Sequence, residues 1–579
     1  MPKEEEFSFK SLFSPLTTFK AIHIIIIVGL IVFLNSLFNQ FIGDDIEQII
    51  QNQFMHSLSN FLLFFKGSTF IAGGSLTGIY YKPIFSVVLS GIYSIFGASP
   101  FFFHSIQLML HIANASLLYL LFSKFLKKYF ALFLSLIFLI HPINSESVAY
   151  ISGMQEPLFF FFGIVGLLFL LQENISIRSL LASQIFFLLS LFSKETGILF
   201  VVIAFLYIVI FKRIYIKHFI ISSVLMISTY SVFRFLIGGV YFNRGVSFPI
   251  AQASLFERFI SVPAILLYFV KTFFFPNILL FNQQWIIEKV DFASFTIPLL
   301  LDLLFLILFT SAVFVTIKNS PKLLKPLLFF SAWFFIGLIL HLQIFPLDAT
   351  VSDRWFYFPI VGLLGVIVVL MQDFFERIKY PQKQTLYILI AVCIIFLLSL
   401  RTIIRNTNWF DPITLYTHDI PLMKPNFALE NGLAYEYLER KDWNRALVYA
   451  KKSVDLYPTF SNYTNLGAIY LNMGDIKTGE MYTLKALEKG NNFYLAYENL
   501  AAISALYDDP IEAKKNIVKY IERFPNDQRL YAVLAIAVYR NGEKEEAEKY
   551  ALRGCEFSPD SNCIYILYQI EHNLPIGRL

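Results

Sequence analysis

Cysteine is scarce: three residues in 579, at Cys393 inside an apolar run and at Cys555 and Cys563 near the end of the sequence. No CxxC pair and no histidine-rich tract is present, so nothing in the sequence points to a structural metal. The last two cysteines are spaced to bridge across a turn in an oxidising compartment, but two free thiols are the preferred reading. Charge is also scarce, at 15% of residues against 57% hydrophobic and 18% aromatic, which excludes a single soluble domain. From Asn426 onward there are 18 Lys/Arg and 21 Asp/Glu, so that part carries −3 of the chain's +5 and the preceding part carries +8. A basic excess of that size is expected where Lys and Arg gather at cytoplasmic loops, so it is no signature of nucleic-acid binding.

What the sequence has in plenty is long apolar runs. A spanning helix needs roughly 20 apolar residues. That length places about eleven spans near 20–41, 101–122, 129–141, 155–172, 179–194, 197–211, 217–237, 293–317, 326–345, 357–374 and 384–403. The third and sixth are short. Lys3, Lys10 and Lys20 precede the first run, and no small-residue cleavage site follows it, the pattern of an uncleaved signal anchor. The stretch 255–275 is apolar but interrupted by Glu257, Arg258, Pro263 and Lys271, so it reads as a re-entrant or interfacial helix. Ile42–Pro100 suits helices lying flat on the outer surface, with a Gly-rich patch at Gly73-Gly74 and Gly78.

Basic clusters fall on alternate connections: Lys124/Lys127/Lys128, Arg178, Lys212/Arg213/Lys217, Lys318/Lys322/Lys325 and Arg377/Lys379/Lys383, together with the N-terminus. The positive-inside rule makes that side cytoplasmic. The opposite face, outer or periplasmic if this is the plasma (inner) membrane, then holds Asp44/Asp45, the His141–Glu156 loop, Lys194-Glu195, Arg244, Asp353-Arg354 and the whole C-terminal part. Charges are expensive near a bilayer and are usually kept there for chemistry.

From Phe427 the sequence repeats every 33–34 residues. Leu433, Leu466, Leu500 and Leu534 recur in register, each followed by a small residue (Ala434, Gly467, Ala501, Ala535); Ala446, Gly479, Ala513 and Ala547 mark a second helix. Pro458, Pro525 and Pro559 end their repeats. The expected organisation is a membrane module over 1–410 and, over 411–579, a tetratricopeptide solenoid with repeats at 427–459, 460–493, 494–527 and 528–561 and a capping helix at 562–575. The fold class is therefore all-α. Tyr463, Asn465, Tyr497, Asn499 and Tyr531 recur on the first helices, where they either contact a ligand or pack repeat on repeat.

Several blocks resemble a known family. Gly43-Asp44-Asp45, Tyr81-Lys82-Pro83, Phe103-His104 with His111, His141-Pro142-Ile143-Asn144-Ser145-Glu146-Ser147-Val148-Ala149, Ser193-Lys194-Glu195-Thr196-Gly197 and Asp353-Arg354-Trp355-Phe356-Tyr357-Phe358-Pro359 look like the membrane module of the transmembrane-and-tetratricopeptide O-mannosyltransferases, within the GT-C glycosyltransferases. The order and approximate spacing match over about residues 20–410. The resemblance implies a polytopic fold, an acidic catalytic residue in the first outer loop and a polyprenyl-phosphate sugar, mannose-like, as donor. This chain departs in having Lys82 where the family usually has Arg, and in its short repeat array.

Transfer from a lipid phosphate needs a base for the acceptor hydroxyl, stabilisation of the leaving phosphate and a dry, ordered pocket. Asp44 and Asp45 are the catalytic candidates. By family analogy Asp44 is the base and Asp45 orients or pairs; the plain alternative is a helix cap with acidic first-turn residues. Mutual repulsion should raise one carboxyl pKa and leave the other ionised. Arg354 suits a donor phosphate through its planar fork, with Trp355 and Tyr357 as walls; the alternative pairs it with Asp353. Lys194 is a second phosphate ligand or the partner of Glu195. His141 and Glu146, five residues apart, suit a hydrogen-bonded loop better than direct catalysis, and His141-Pro142 reads as a helix stop. Lys82 stands near a donor head group or at the lipid interface, and Arg234 calls for the same caution. A divalent cation on Asp44/Asp45 is conceivable, although two carboxylates make a poor cage.

The sequence therefore implies an inverting transferase moving one sugar to a hydroxyl of an exported protein or glycan acceptor, with the repeats holding the acceptor. A polysaccharide ligase or polymerase, and a non-enzymatic membrane-anchored repeat scaffold, are the competing readings.

Overall fold

The computed structural model describes residues 15–241, 248–377, 384–556 and 561–576. Lys3, Lys10, Arg244, Lys379, Lys383 and Pro559 lie outside these. The chain divides into two compact units: Met1–Asp45 with Tyr81–Lys424, and Ile46–Tyr80 with Pro425–Leu579. Both are helical; apart from isolated bridges at Ala72–Ser75 and Gln283–Val351, the described residues contain no strand.

In the first unit, every segment read as a span carries a helix. Among the described residues seven are long and apolar enough to cross a membrane: Thr18–Phe38, Pro100–Phe122, Ile151–Leu170, Arg213–Ile237, Phe292–Asn319, Pro321–Ile339 and Leu386–Asn408. An eighth crossing is formed if Lys128–Ile140 and Pro142–Ala149, bent by 48°, act as one broken span. Ile177–Ser193, Glu195–Phe211 and Pro359–Asp373 are shorter apolar helices, as is Pro83–Phe96. The chain is an integral membrane protein. Its helices differ in what they face: Ile151–Leu170 is 72% buried, a core helix, whereas Leu386–Asn408 is 6% buried and offers an apolar surface suited to lipid.

Aromatic side chains fill the interior. Phe138, Phe160, Tyr357, Phe358, Phe200 and Trp333 form a continuous set of ring contacts with centroids 5.0–6.3 Å apart. The Trp333 indole N–H donates to the Phe358 carbonyl (3.0 Å), leaving no stranded donor in the packing. The 255–275 stretch forms the helix Leu255–Phe274, opened by a capping box between Ser254 and Glu257. Its three charges, Glu257, Arg258 and Lys271, set it apart from the helices fit to span.

The second unit corrects one expectation. Ile46–Tyr80 does not form flat surface helices but a succession of single turns: Ile46–Ile50, Gln53–His56, Leu58–Asn60 and Leu63–Phe65. Asn52 and Ser57 cap their own following turns, and Gly73, Gly74 and Gly78 adopt positive φ, so no helix propagates. This segment is assigned to the same unit as the repeats, not to the membrane unit.

The rest of the second unit is a run of antiparallel helix pairs: Phe427–Glu439 with Trp443–Leu456, Phe460–Asn472 with Ile476–Lys489, Tyr494–Tyr507 with Pro510–Arg523, and Gln528–Arg540 with Lys544–Cys555, followed by Ser561–Glu571. Asn426, Asp442, Thr459, Asp475, Asp509 and Asp527 cap helix starts through their side chains. Leu433, Leu466 and Leu534 are buried beside fully buried small residues, because paired helices approach where no long side chain intervenes. The recurring side chains serve packing: Asn465 donates to Asn431 (3.0 Å), Asn499 to the Thr464 carbonyl (3.1 Å), and Tyr463, Tyr497 and Tyr531 contact Tyr482, Tyr520 and Tyr550. Cys555 and Cys563 form a disulfide, contrary to the free-thiol expectation. Their Cα atoms are 5.7 Å apart, within bridging range.

Candidate active site

The first span ends in a 3-10 turn, Leu34–Phe38, and the chain then bends at Gly43 (φ +54°). A Cβ at Gly43 would come within 3.3 Å of the Tyr416 hydroxyl, so glycine serves both the left-handed turn and the close approach. The turn separates the two acids that follow it.

Asp45 points inward and is wholly buried. Its carboxylate accepts the Ile42 N–H (2.9 Å), the Ser152 N–H (2.6 Å) and the Ser152 hydroxyl (2.6 Å). Burial lifts its pKa from 3.8 to about 7, and those donors hold it from rising further. Asp44 remains accessible. Its pKa is raised by desolvation among surrounding protein atoms, against the attraction of Arg354 and Lys82 and a hydrogen bond from Tyr150, while Asp348 adds to the rise. Both carboxyl pKa values are thus raised, with desolvation the largest cause for each.

Arg354 sits in a 3-10 turn, Asp353–Phe356, and pairs with Glu146, not with Asp353. Glu146 also accepts the Arg354 backbone N–H (3.1 Å) and the Ser352 hydroxyl (2.7 Å), so it fixes both the turn and the side chain. The buried Nε of Arg354 has no hydrogen-bond partner among the described residues. A guanidinium with a spare donor, pushed above its usual pKa mainly by Glu146 against the opposing effect of burial, is set up for an anion. Asp353 is held instead by the Tyr268 hydroxyl, and burial with Glu146 nearby raises its pKa to about 8.

Lys194 pairs with Glu156, not with its sequence neighbour Glu195, because it ends the Ile177–Ser193 helix facing Ile151–Leu170. Glu195 accepts from Arg234 (2.9 Å) and from the Tyr81 N–H (3.2 Å), fixing the chain one residue before Lys82. Lys82 is buried; burial pushes its ammonium below the usual lysine range, opposed by Glu195 and Asp348. His141 is a structural cap: its Nδ1 accepts the Ile143 N–H (3.2 Å), so Nε2 carries the proton and donates to the Phe273 carbonyl (2.9 Å). Tyr357 is no open wall, since its hydroxyl is buried between His111 (2.8 Å) and Asn114 (3.0 Å); Trp355 stacks on His341.

Asp44, Lys82, Tyr150, Asp348 and Arg354 therefore act on one another within a single polar cluster, bordered by the Glu146, Glu156–Lys194 and Glu195–Arg234 pairs. Tyr150, Ser152 and Asp348 were not singled out by sequence. Tyr150 directly follows the His141–Ala149 block, and Asp348 is a lone acid five positions before Asp353. Tyr150 is positioned by stacking on Trp409 (5.7 Å) and by Phe281 (5.4 Å). Those rings are pinned by the buried Arg405–Asp419 pair, in which Asp419 also accepts the Phe281 N–H. Among the described residues no group of three or more His, Cys, Asp or Glu is arranged to hold a metal ion. With Asp45 committed to Ile42 and Ser152, the two acids do not form a shared cage.

No protein-family profile matches the chain. It is 24% identical over 586 residues to the human protein O-mannosyl-transferase TMTC3, covering 94% of this chain, and 23% identical to the mouse protein of that name, covering 95%. It is 22% identical to the Caenorhabditis elegans protein O-mannosyl-transferase F38B6.6, covering 73%. The chain spans 61% of the length of each of these relatives. Its likeness to proteins named O-mannosyl-transferases thus runs through the membrane half and the repeat half alike.

Proposed function

We propose that this chain is a membrane glycosyltransferase that moves a mannose-like sugar from a polyprenyl phosphate to a hydroxyl of an exported protein or glycan. The reaction takes place on the outer or luminal face, with the N-terminus cytoplasmic. The single observation that carries this reading is the pairing of an accessible, desolvated carboxylate, Asp44, with a partly unsatisfied guanidinium, Arg354, in one cluster.

The chemistry follows from those roles. Asp44 takes the proton of the acceptor hydroxyl as its oxygen attacks the anomeric carbon. The bond from that carbon to the phosphate oxygen breaks in line, inverting the centre. The leaving phosphate monoester keeps the bonding electrons and is stabilised by Arg354, with Lys82 and Lys194 adding positive charge beside it. Asp45 holds the turn that presents Asp44, and Glu146 holds Arg354. The repeat half is the proposed holder of a protein acceptor.

The test is transfer by the purified full-length protein from radiolabelled polyprenyl-phosphate mannose to candidate acceptors. Asp44→Asn lowers transfer by about 10²–10⁴-fold while the protein stays folded. Transfer that survives both Asp44→Asn and Asp45→Asn sinks the reading, and donor-independent binding of a partner without turnover favours the scaffold.

A further inference from the structure

The second unit contains a binding arrangement that this reading does not use. Ala72 and Ser75 close a tight turn with reciprocal backbone hydrogen bonds (2.9 and 3.2 Å), and Gly73 and Gly74 at its tip both have positive φ. That tip is pressed against the repeats. A Cβ at Gly73 would lie 2.6 Å from the Phe524 ring, and one at Gly74 only 1.7 Å from the Asn526 carbonyl oxygen. No side chain other than hydrogen fits there.

Polar contacts extend the fit along the segment. Asn526 donates to the Ser75 hydroxyl (3.0 Å), and the Gln528 amide donates to Gln53 (2.5 Å). The Gln51 amide donates to the Tyr435 hydroxyl (3.4 Å), and desolvation, helped by the Glu47 carboxylate, pushes the Tyr494 hydroxyl above its usual pKa. Tyr435 belongs to the first helix of the first pair and Tyr494 to that of the third. Phe524 and Asn526 form the junction before the fourth pair, and Gln528 opens it. One segment thus engages three helix pairs through their first helices and junctions, in the manner of an extended peptide on a solenoid.

We propose that this face of the repeats is a receptor for the chain's own Ile46–Tyr80 segment, with the Gly73-Gly74 turn as its anchor. By chain continuity the segment begins one bond after Asp45 and ends one bond before Tyr81-Lys82. Holding its middle restricts the freedom of both ends, and a fixed chain loses less entropy when the site orders around substrate. The repeats are in this sense a positioning device for the loop that carries the acid. An acceptor held by the repeats meets a face already carrying this segment.

The segment's placement is tested apart from catalysis. In full-length protein carrying Cys393→Ser, the pair Ser75→Cys with Asn526→Cys is joined by a short bis-maleimide and the linked peptide read by mass spectrometry. The expected result is efficient linkage, reduced at least tenfold by Gly74→Val. Because Gly74→Val also strains the turn itself, Phe524→Ala on the repeat side serves as the second variant and reduces linkage in the same direction. Absence of linkage, or linkage indifferent to both variants, overturns the proposal. The anchoring role rests on the transferase reading: Gly74→Val lowers kcat with the donor KM little changed, and an unchanged kcat in unlinked protein overturns it. Efficient linkage in a wild-type protein that transfers no sugar refutes the transferase reading and leaves the receptor face standing.

Discussion

The two units treat charge in opposite ways. In the membrane unit ion pairs are buried: Arg405 and Asp419 are 1% and 0% exposed, and Arg354–Glu146 and Lys194–Glu156 are nearly as enclosed. In the repeat unit they are solvated, as in Arg553–Glu556 at 45% and 46%. A buried pair repays its desolvation only when further hydrogen bonds complete it, and removing one partner strands the other. A solvated pair adds little. The membrane unit therefore spends its few charges on fixing one polar cluster, whereas the repeat unit spreads many over its surface and draws its stability from small residues at helix contacts.

That contrast can be broken at several points. Asp44→Asn should lower transfer by about 10²–10⁴-fold, the range for loss of a positioned base, with the melting temperature held. Asp45→Asn should instead be felt first in stability, since it disturbs the acceptor of three buried donors. Finding the reverse would exchange their roles. Arg405→Ala should destabilise by about 3–5 kcal/mol in detergent unfolding, because it leaves Asp419 charged and enclosed. Arg354→Lys keeps the charge but loses the planar fork, and a donor kcat/KM lower by about 10–100-fold is expected.

Dependence on pH sharpens the same comparison. The base works as an anion, and the Asp44 pKa is raised by desolvation among the surrounding protein atoms, so the acid limb of kcat/KM should lie above the ordinary carboxylate range. A limb at the ordinary value would remove Asp44 from the role. For stability the sign runs the other way. Asp45 binds its proton more tightly folded than unfolded, so its contribution should fall as pH rises from 3.8 to about 7. Melting temperatures of wild type and Asp45→Asn across that window check it. The smallest effect is expected in the repeat unit: Lys514→Ala, which breaks contacts to Glu543 and Glu546, should leave the melting temperature unchanged.

Much of this was legible in the residues. Long apolar runs specify helices because every backbone group in a bilayer must be satisfied within its own segment. The 33–34-residue register of Leu433, Leu466 and Leu500 fixes helix pairs because small neighbours must meet. Asp44, Arg354 and Glu146 stood out as charges in apolar surroundings. Partner choice did not follow from proximity in sequence: Lys194 chose Glu156 over Glu195, and Arg354 chose Glu146 over Asp353. Tyr150 and Asp348 carry no local pattern that marks them, and their role comes from what folds against them.

The sequence by itself determined that the chain is helical, that its first part belongs in a membrane and its last part repeats, and that acids and bases gather at a few interhelical blocks. Hydrophobic periodicity and spacing are local properties, and local interactions suffice to set them. Only the tertiary structure decided which acid is accessible, which cations are already neutralised, and that Ile46–Tyr80 belongs with the repeats. Those outcomes depend on contacts between residues tens to hundreds of positions apart, where burial and geometry select one partner among several of equal charge.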